Sequence, residues 1–226
     1  MIERTQSVLF HTPDVCERYA TLYTPLISDT MERMGHRSTA LSAHIQCLSV
    51  DPAVKMVGFA YPCRERATDA YVEIDHLLRM IDSIPAGTVV VVGIDKEVDC
   101  ALWGGLMSVG AKRRGAVGAV AQGPVRDLAQ IADLGFAVFG TGRTMLDIRS
   151  RAEVVDFGHP VECGGVMVHP GDLIVGDANG VICVPHALIM PLLEACEAAL
   201  AEEQSTQRGL ETGDGAQDLF DRYGRF

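Results

Sequence analysis

The chain has 226 residues, a formal net charge of −11, and 48% apolar against 22% charged residues. A chain of this size buries roughly 70% of its unfolded surface and needs no disulfide or metal to fold, which predicts a globular protein of one domain spanning 1–226. The acidic balance, with no basic cluster denser than Lys112, Arg113 and Arg114, argues against a nucleic-acid partner, and no apolar run is long enough for a membrane span.

From the N-terminus, "MIERTQSVLF" lacks the apolar core of a signal peptide, and none is expected. N-terminal helices are expected over about 14–35. In "TPLISDTMERMG", Thr24 reads as the N-cap, Pro25 as the first helical residue and Gly35 as the stop. "KMVGFAYP" follows as a strand. Asp69 is expected to open an amphipathic helix through "AYVEIDHLLRMIDSI". "TVVVVGI" (88–94) is β-branched at every residue but Gly93, the pattern of a strand buried on both faces. A helix over about 101–114, a strand "AVGAVAQ", a short helix from Asp127 and a strand "GFAVFG" come next. This alternation predicts βαβ units and a partly parallel sheet. After Arg149, short runs punctuated by "GG", "PGD" and "ANG" predict an antiparallel, β-rich C-terminal half. A C-terminal helix over about 186–207 closes the α/β domain, with a loose polar tail expected after about 208.

The common catalytic constellations are absent. "GTGRTM" has Met145 where a dinucleotide loop needs its third glycine, and neither G-x-S-x-G nor H-E-x-x-H occurs. The seven cysteines show no C-x-x-C or zinc spacing, the pattern of reduced, buried thiols in a cytoplasmic protein. The seven histidines are dispersed. A Schiff-base lysine needs a depressed pKa, whereas Lys96 lies between Asp95 and Glu97, which would raise it. If carbonyl chemistry takes place here, a metal is the more natural electrophile.

The pair Arg126-Asp127 stands out. Asp127 at the start of a helix can be a simple cap. The pair also follows an apolar strand, and ligands of α/β sheets gather at the carboxyl ends of strands. Upstream, "ALWGGLMSVGA" opens another helix with two glycines, where exposed amides bind anions and glycine permits close approach.

Taken together, "IPAGTVVVVGI", "ALWGGLMSVGAKRRGAVGAVAQGPVRD", "GFAVFGTG" and "VDFGHPVECGGVMVHPGDLIVGDANGVICVP" resemble the class II pyruvate aldolases acting on 4-hydroxy-4-methyl-2-oxoglutarate and 4-carboxy-4-hydroxy-2-oxoadipate. That family is homologous to the regulator of ribonuclease activity A. The resemblance implies an RraA-like compact α/β fold with stacked β layers and flanking helices. It also implies a homotrimer or homohexamer with active sites at subunit interfaces. By the same resemblance Arg126 would hold the keto and enolate oxygen of a small keto-acid substrate, and Asp127 would ligate Mg²⁺ or Mn²⁺. The turn of Gly104, Gly105, Leu106 and Met107 would receive the substrate carboxylate. Oxaloacetate decarboxylation follows from the same enolate.

One departure bears on this expectation. The family pattern is a carboxylate, twenty residues, then Arg-Asp, and that position here is Gly105. Asp99 is the candidate to compensate, and Glu202 or Glu203 the candidates for a glutamate lent by the neighbouring subunit. A metal-dependent carbon–carbon lyase is therefore the first reading. A non-catalytic ring-shaped regulator and a keto-acid enzyme of altered chemistry are the alternatives. No glycine-rich nucleoside loop supports the menaquinone methyltransferase label that some family members carry.

Overall fold

In a computed structural model of the protein, residues 13–48 and 53–224 are described. The N-terminal part runs α1 (Pro13–Ala20), α2 (Thr24–Arg33), β1 (Gln46–Cys47), β2 (Met56–Ala67), α3 (Asp75–Ser83), β3 (Thr88–Ile94), α4 (Gly105–Arg114), β4 (Gly118–Ala121), β5 (Pro124–Val125) and α5 (Leu128–Leu134). Then follow β6 (Ala137–Gly140), β7 (Gly142–Arg143), β8 (Ala152–Phe157), β9 (Val161–Cys163), β10 (Val166–Val168), β11 (Leu173–Asp177), β12 (Gly180–Val184), α6 (Ile189–Thr212) and α7 (Ala216–Tyr223).

The main sheet has the order β1-β6-β4-β3-β2-β11-β12, with β8 paired to the far half of β2. Strands β2, β3, β4 and β6 are mutually parallel, and β11, β12 and β8 join antiparallel. Ala40 bridges Ile182, so the sheet curls almost into a barrel. The β-α alternation of the first two-thirds thus gives the parallel half, and the turn-rich remainder gives the antiparallel half.

Every residue of β3 is buried, and its side chains divide by parity. Val90 and Val92 face the layer of α3, α4 and α5, while Val89 and Val91 face the curled interior. The β9–β10 hairpin lies across that interior. A Cβ on Gly93 would stand 2.1 Å from the Glu162 carbonyl oxygen, so the one residue of β3 without a side chain marks where β9 crosses it. A third apolar cluster joins α1, α2 and α6 to β11 and β12.

Four boundaries differ from expectation, two of them because backbone groups are used elsewhere. Helix α3 begins at Asp75, not Asp69. The preceding segment is held as an extension of β2, with Thr68 donating to the Arg151 carbonyl and Ala67 to the Asp95 carboxylate. Helix α4 begins at Gly105 because Ala101 and Leu102 donate to the Leu146 and Pro124 carbonyls. Thr24 lies within α2 instead of capping it. The segment after 208 is helical through Tyr223, because Leu219 of α7 is fully buried against Gly209 of α6. A single apolar anchor in a polar stretch leaves little periodicity to read.

Candidate active site

Three segments meet beyond the carboxyl ends of β4 and β6. Leu102 donates to the Pro124 carbonyl, Arg126 to the Trp103 carbonyl at 3.1 Å, and Thr144 to the Val125 carbonyl at 3.2 Å. The turn ahead of α4 is pinned from within. Trp103 stacks on Phe136, its Nε1 donates to Ser108 Oγ at 2.8 Å, and that hydroxyl donates to the Gly104 carbonyl at 3.0 Å. Gly123 permits the close approach, since a Cβ there would lie 2.5 Å from Leu102 Cδ1.

On this frame Asp127 adopts φ +60° and ψ +33°, left-handed values that cost a non-glycine residue about 1 kcal/mol. Its carboxylate makes no bond to the start of its own helix α5. Oδ2 instead accepts the Gly105 amide of α4 at 3.0 Å. The simple-cap reading is thus half right: Asp127 caps a helix, but a different one. Backbone strain maintained by surrounding structure is typical of functional positions.

Arg126 lies between two carboxylates, with Nε 3.5 Å from Asp127 Oδ2 and Nη1 3.3 Å from Asp147 Oδ1. Arg149 approaches the other Asp147 oxygen at 3.8 Å. The Arg126, Asp127 and Asp147 side chains are each a little over a third exposed, so the cluster faces outward. Following Gly104 at the N-cap of α4, the amides of Leu106 and Met107 have no acceptor among the described residues. Such unsatisfied first-turn amides, at the positive end of the helix dipole, attract anions. Leu106 in the first turn of α4 and Met145, two residues before Asp147, are exposed apolar side chains.

The remaining candidates lie elsewhere. Asp99 lines a neighbouring cleft of about 1160 Å³, together with Lys96, Gln122 and Thr141; the cleft shares Gly123 and Pro124 with the Arg126 segment but does not include Arg126 or Asp127. Glu202 and Glu203 lie on α6, which packs on α1 and α2, and Glu203 accepts the Tyr23 hydroxyl proton. Within one chain they do not join Arg126. Asp147 is the residue that sequence reasoning missed. Only a loop "MLDIRS" marks it, and loop carboxylates are common.

Other chemistries find no support. All seven cysteines are free, and burial pushes Cys100 up to about 11 and Cys163 to about 12, so these thiols stay protonated. Among the described residues no group of three or more His, Cys, Asp or Glu could hold a metal. Asp127 therefore offers the cluster's one carboxylate not already shared between two arginines. Mg²⁺ or Mn²⁺ commonly takes one or two carboxylates and completes its shell with waters and substrate. The donor set fits such an ion in that manner only. No helix among the described residues is long and apolar enough to cross a membrane.

Comparison with known proteins gives a consistent result. The chain is 28% identical over 205 residues to Protein DlpA of Legionella pneumophila, covering 89% of this chain but 32% of that protein. It is 35% identical over 184 residues to an Azotobacter vinelandii protein named "Putative 4-hydroxy-4-methyl-2-oxoglutarate aldolase", covering 80% of this chain and 97% of that one. The fold matches Streptomyces coelicolor RraAS2, described as an unusual member of the RNase ES inhibitor RraA family. That match has a TM-score of 0.78 and 22% identity, and covers 88% of this chain and 98% of that one. The Aldolase/RraA profile matches residues 24–183, which spans α2 to β12 and includes both halves of the cluster, and the chain belongs to this RraA-like family.

Proposed function

We propose that the protein is a divalent-metal-dependent lyase acting through a pyruvate enolate, by aldol cleavage of a 4-hydroxy-2-oxo acid, by oxaloacetate decarboxylation, or both. The observation that carries this reading is the strained Asp127. Its carboxylate is turned onto the first turn of α4, beside the Arg126 guanidinium and the free Leu106 and Met107 amides. Relatives named as aldolases support the class of reaction.

A 2-oxo acid presents a carboxylate and a keto oxygen on adjacent carbons. The carboxylate suits the Leu106 and Met107 amides, which otherwise lack acceptors. The keto oxygen suits Arg126, whose planar fork places a fixed positive charge beside it. When the bond to the β-carbon breaks, its electron pair remains on the pyruvate half; the other half leaves as a carbonyl compound, its hydroxyl having given its proton to solvent, or as CO₂ from oxaloacetate, and charge accumulates on the keto oxygen as the enolate forms. Arg126 stabilises that charge as it develops, and the enolate then takes a proton to give pyruvate. Asp147 holds the guanidinium in place from the side opposite Asp127. A divalent ion on Asp127 would supply Lewis acidity at the same oxygen. Homo-oligomeric assembly, with Glu202 or Glu203 of a neighbouring subunit reaching the site, is part of this proposal.

The test is turnover of oxaloacetate and of 4-hydroxy-4-methyl-2-oxoglutarate with Mg²⁺ or Mn²⁺, with EDTA, and with Asp127→Ala. Metal-stimulated release of pyruvate that is lost in the variant supports the reading; a rate indifferent to metal and to the substitution overturns it. Gly105 favours a second reading, a non-catalytic regulator of the RraA kind, because a regulator need not keep the family's carboxylate. No turnover with either metal, together with a stoichiometric protein partner, would establish it.

A further inference from the structure

The space that a side chain at 105 would take is not empty. A Cβ built on Gly105 would lie 2.6 Å from Gln130 Oε1 and 3.1 Å from Asp127 Cβ. Gln130 lies on α5, three residues after the N-cap Asp127, and both side chains stand against Gly105 in the first turn of α4. The Gln130 amide oxygen thus fills the space into which a side chain at 105 would start, and position 105 itself carries no carboxylate.

The change alters the charge seen by a cation. The cluster holds Arg126 and Arg149 against Asp127 and Asp147, so its formal charges cancel. Asp147 is shared between the two guanidiniums, and one Asp127 oxygen already accepts the Gly105 amide. An incoming divalent ion meets one carboxylate with two guanidiniums nearby. A chelating dianion changes the balance, because it offers its own oxygens to the ion and also finds Arg126 and the free amides of Leu106 and Met107.

We propose that Gln130, by filling the space beside Gly105 with a neutral amide, makes this site bind its divalent ion and its chelating anion as a mutually dependent pair, with little affinity for the ion alone. The proposal rests on the metal-dependent reading above. Binding linkage requires the dependence to be reciprocal: the anion tightens the ion by the same factor as the ion tightens the anion.

Titration calorimetry of the full-length protein with Mn²⁺, alone and at saturating oxalate, tests it directly. Oxalate should tighten Mn²⁺ by about 100-fold, near the upper end of ordinary coupling, and Mn²⁺ should tighten oxalate equally. Gly105→Glu combined with Gln130→Ala restores the carboxylate and clears room for it. That variant should bind Mn²⁺ alone about tenfold or more tighter and show correspondingly weaker coupling. Equal Mn²⁺ affinity with and without oxalate in the unmodified protein overturns this inference and leaves the metal-dependent reading standing. No Mn²⁺ binding under either condition removes that reading as well. Because the wild-type measurement is decisive by itself, a misfolded double variant does not rescue the proposal.

Discussion

The N-termini of α2 and α4 are each capped by a remote aspartate, and they are built to different ends. Asp177, at the end of β11, accepts the amide and hydroxyl of Thr24 at the start of α2, the amide and side chain of Asn179, and an ion pair from Lys55. It is buried. Burial pushes its pKa up, but the bonds from Thr24 and Asn179 outweigh that and hold the carboxyl below its usual value. Asp127 accepts one amide of α4, stands a little over a third exposed in a strained conformation, and leaves two neighbouring amides without acceptors among the described residues. A saturated cap is a joint between elements. An unsaturated one beside a guanidinium has capacity left for a ligand. Glu65 is the third case, a fully buried carboxyl on β2 with no hydrogen-bond partner among the described residues, pushed by burial up to about 8.

The sharpest way to break the contrast is to remove each carboxylate in turn. Asp127→Ala should lower kcat/KM by about 10²-fold to 10³-fold while changing the unfolding free energy by no more than about 1 kcal/mol. A large stability loss with activity retained would make Asp127 a second joint. Asp177→Ala should do the reverse, costing about 2–3 kcal/mol in a denaturant titration with kcat/KM nearly unchanged. Because the folded pKa of Asp177 is depressed, its contribution is complete above the unfolded value near 3.9 and is lost as pH falls through the folded pKa. The loss should vanish when the two proteins are compared in strong acid.

Glu65 carries the opposite sign. Its folded pKa is raised, so the native state holds a proton that the unfolded chain releases, and stability declines as pH rises from about 4.5 to about 8. Glu65→Gln should flatten that decline, with a gain of about 4 kcal/mol at pH 8 and little at pH 4, read from thermal midpoints across pH. The smallest effect belongs to Asp147→Asn. This partly exposed partner should contribute under about 1 kcal/mol to stability, and its loss should raise KM a few-fold by loosening Arg126.

What could be read from the sequence follows from how local each feature is. The β-branched run of β3 and the glycine-led start of α4 declare themselves within a few residues, as does the pairing of Arg126 with Asp127. Asp147 and Gln130 do not, because each matters only through a neighbour brought close by β7 or by the packing of α5 on α4. The capping role of Asp127 shows both sides: its residue type was informative, but the helix it serves lies 22 residues back in the chain. Non-local pairing also set the late starts of α3 and α4, since amides ahead of them are committed to distant acceptors: Thr68 to Arg151, Ala101 to Leu146 and Leu102 to Pro124.

The short stretch from Thr39 to Leu48 has a consequence beyond its size. It joins β12 through Leu41 donating to Val181 and Cys183 donating to Thr39, and joins β6 through β1 and the bond from Leu48 to Val138. Those two strands would otherwise be the free margins of the main sheet. An unpaired margin is a template for another chain, so this strap is the protein's guard against edge-to-edge aggregation. Proteolytic nicking or proline substitution within it should show itself first as loss of solubility, ahead of any loss of chemistry at Arg126.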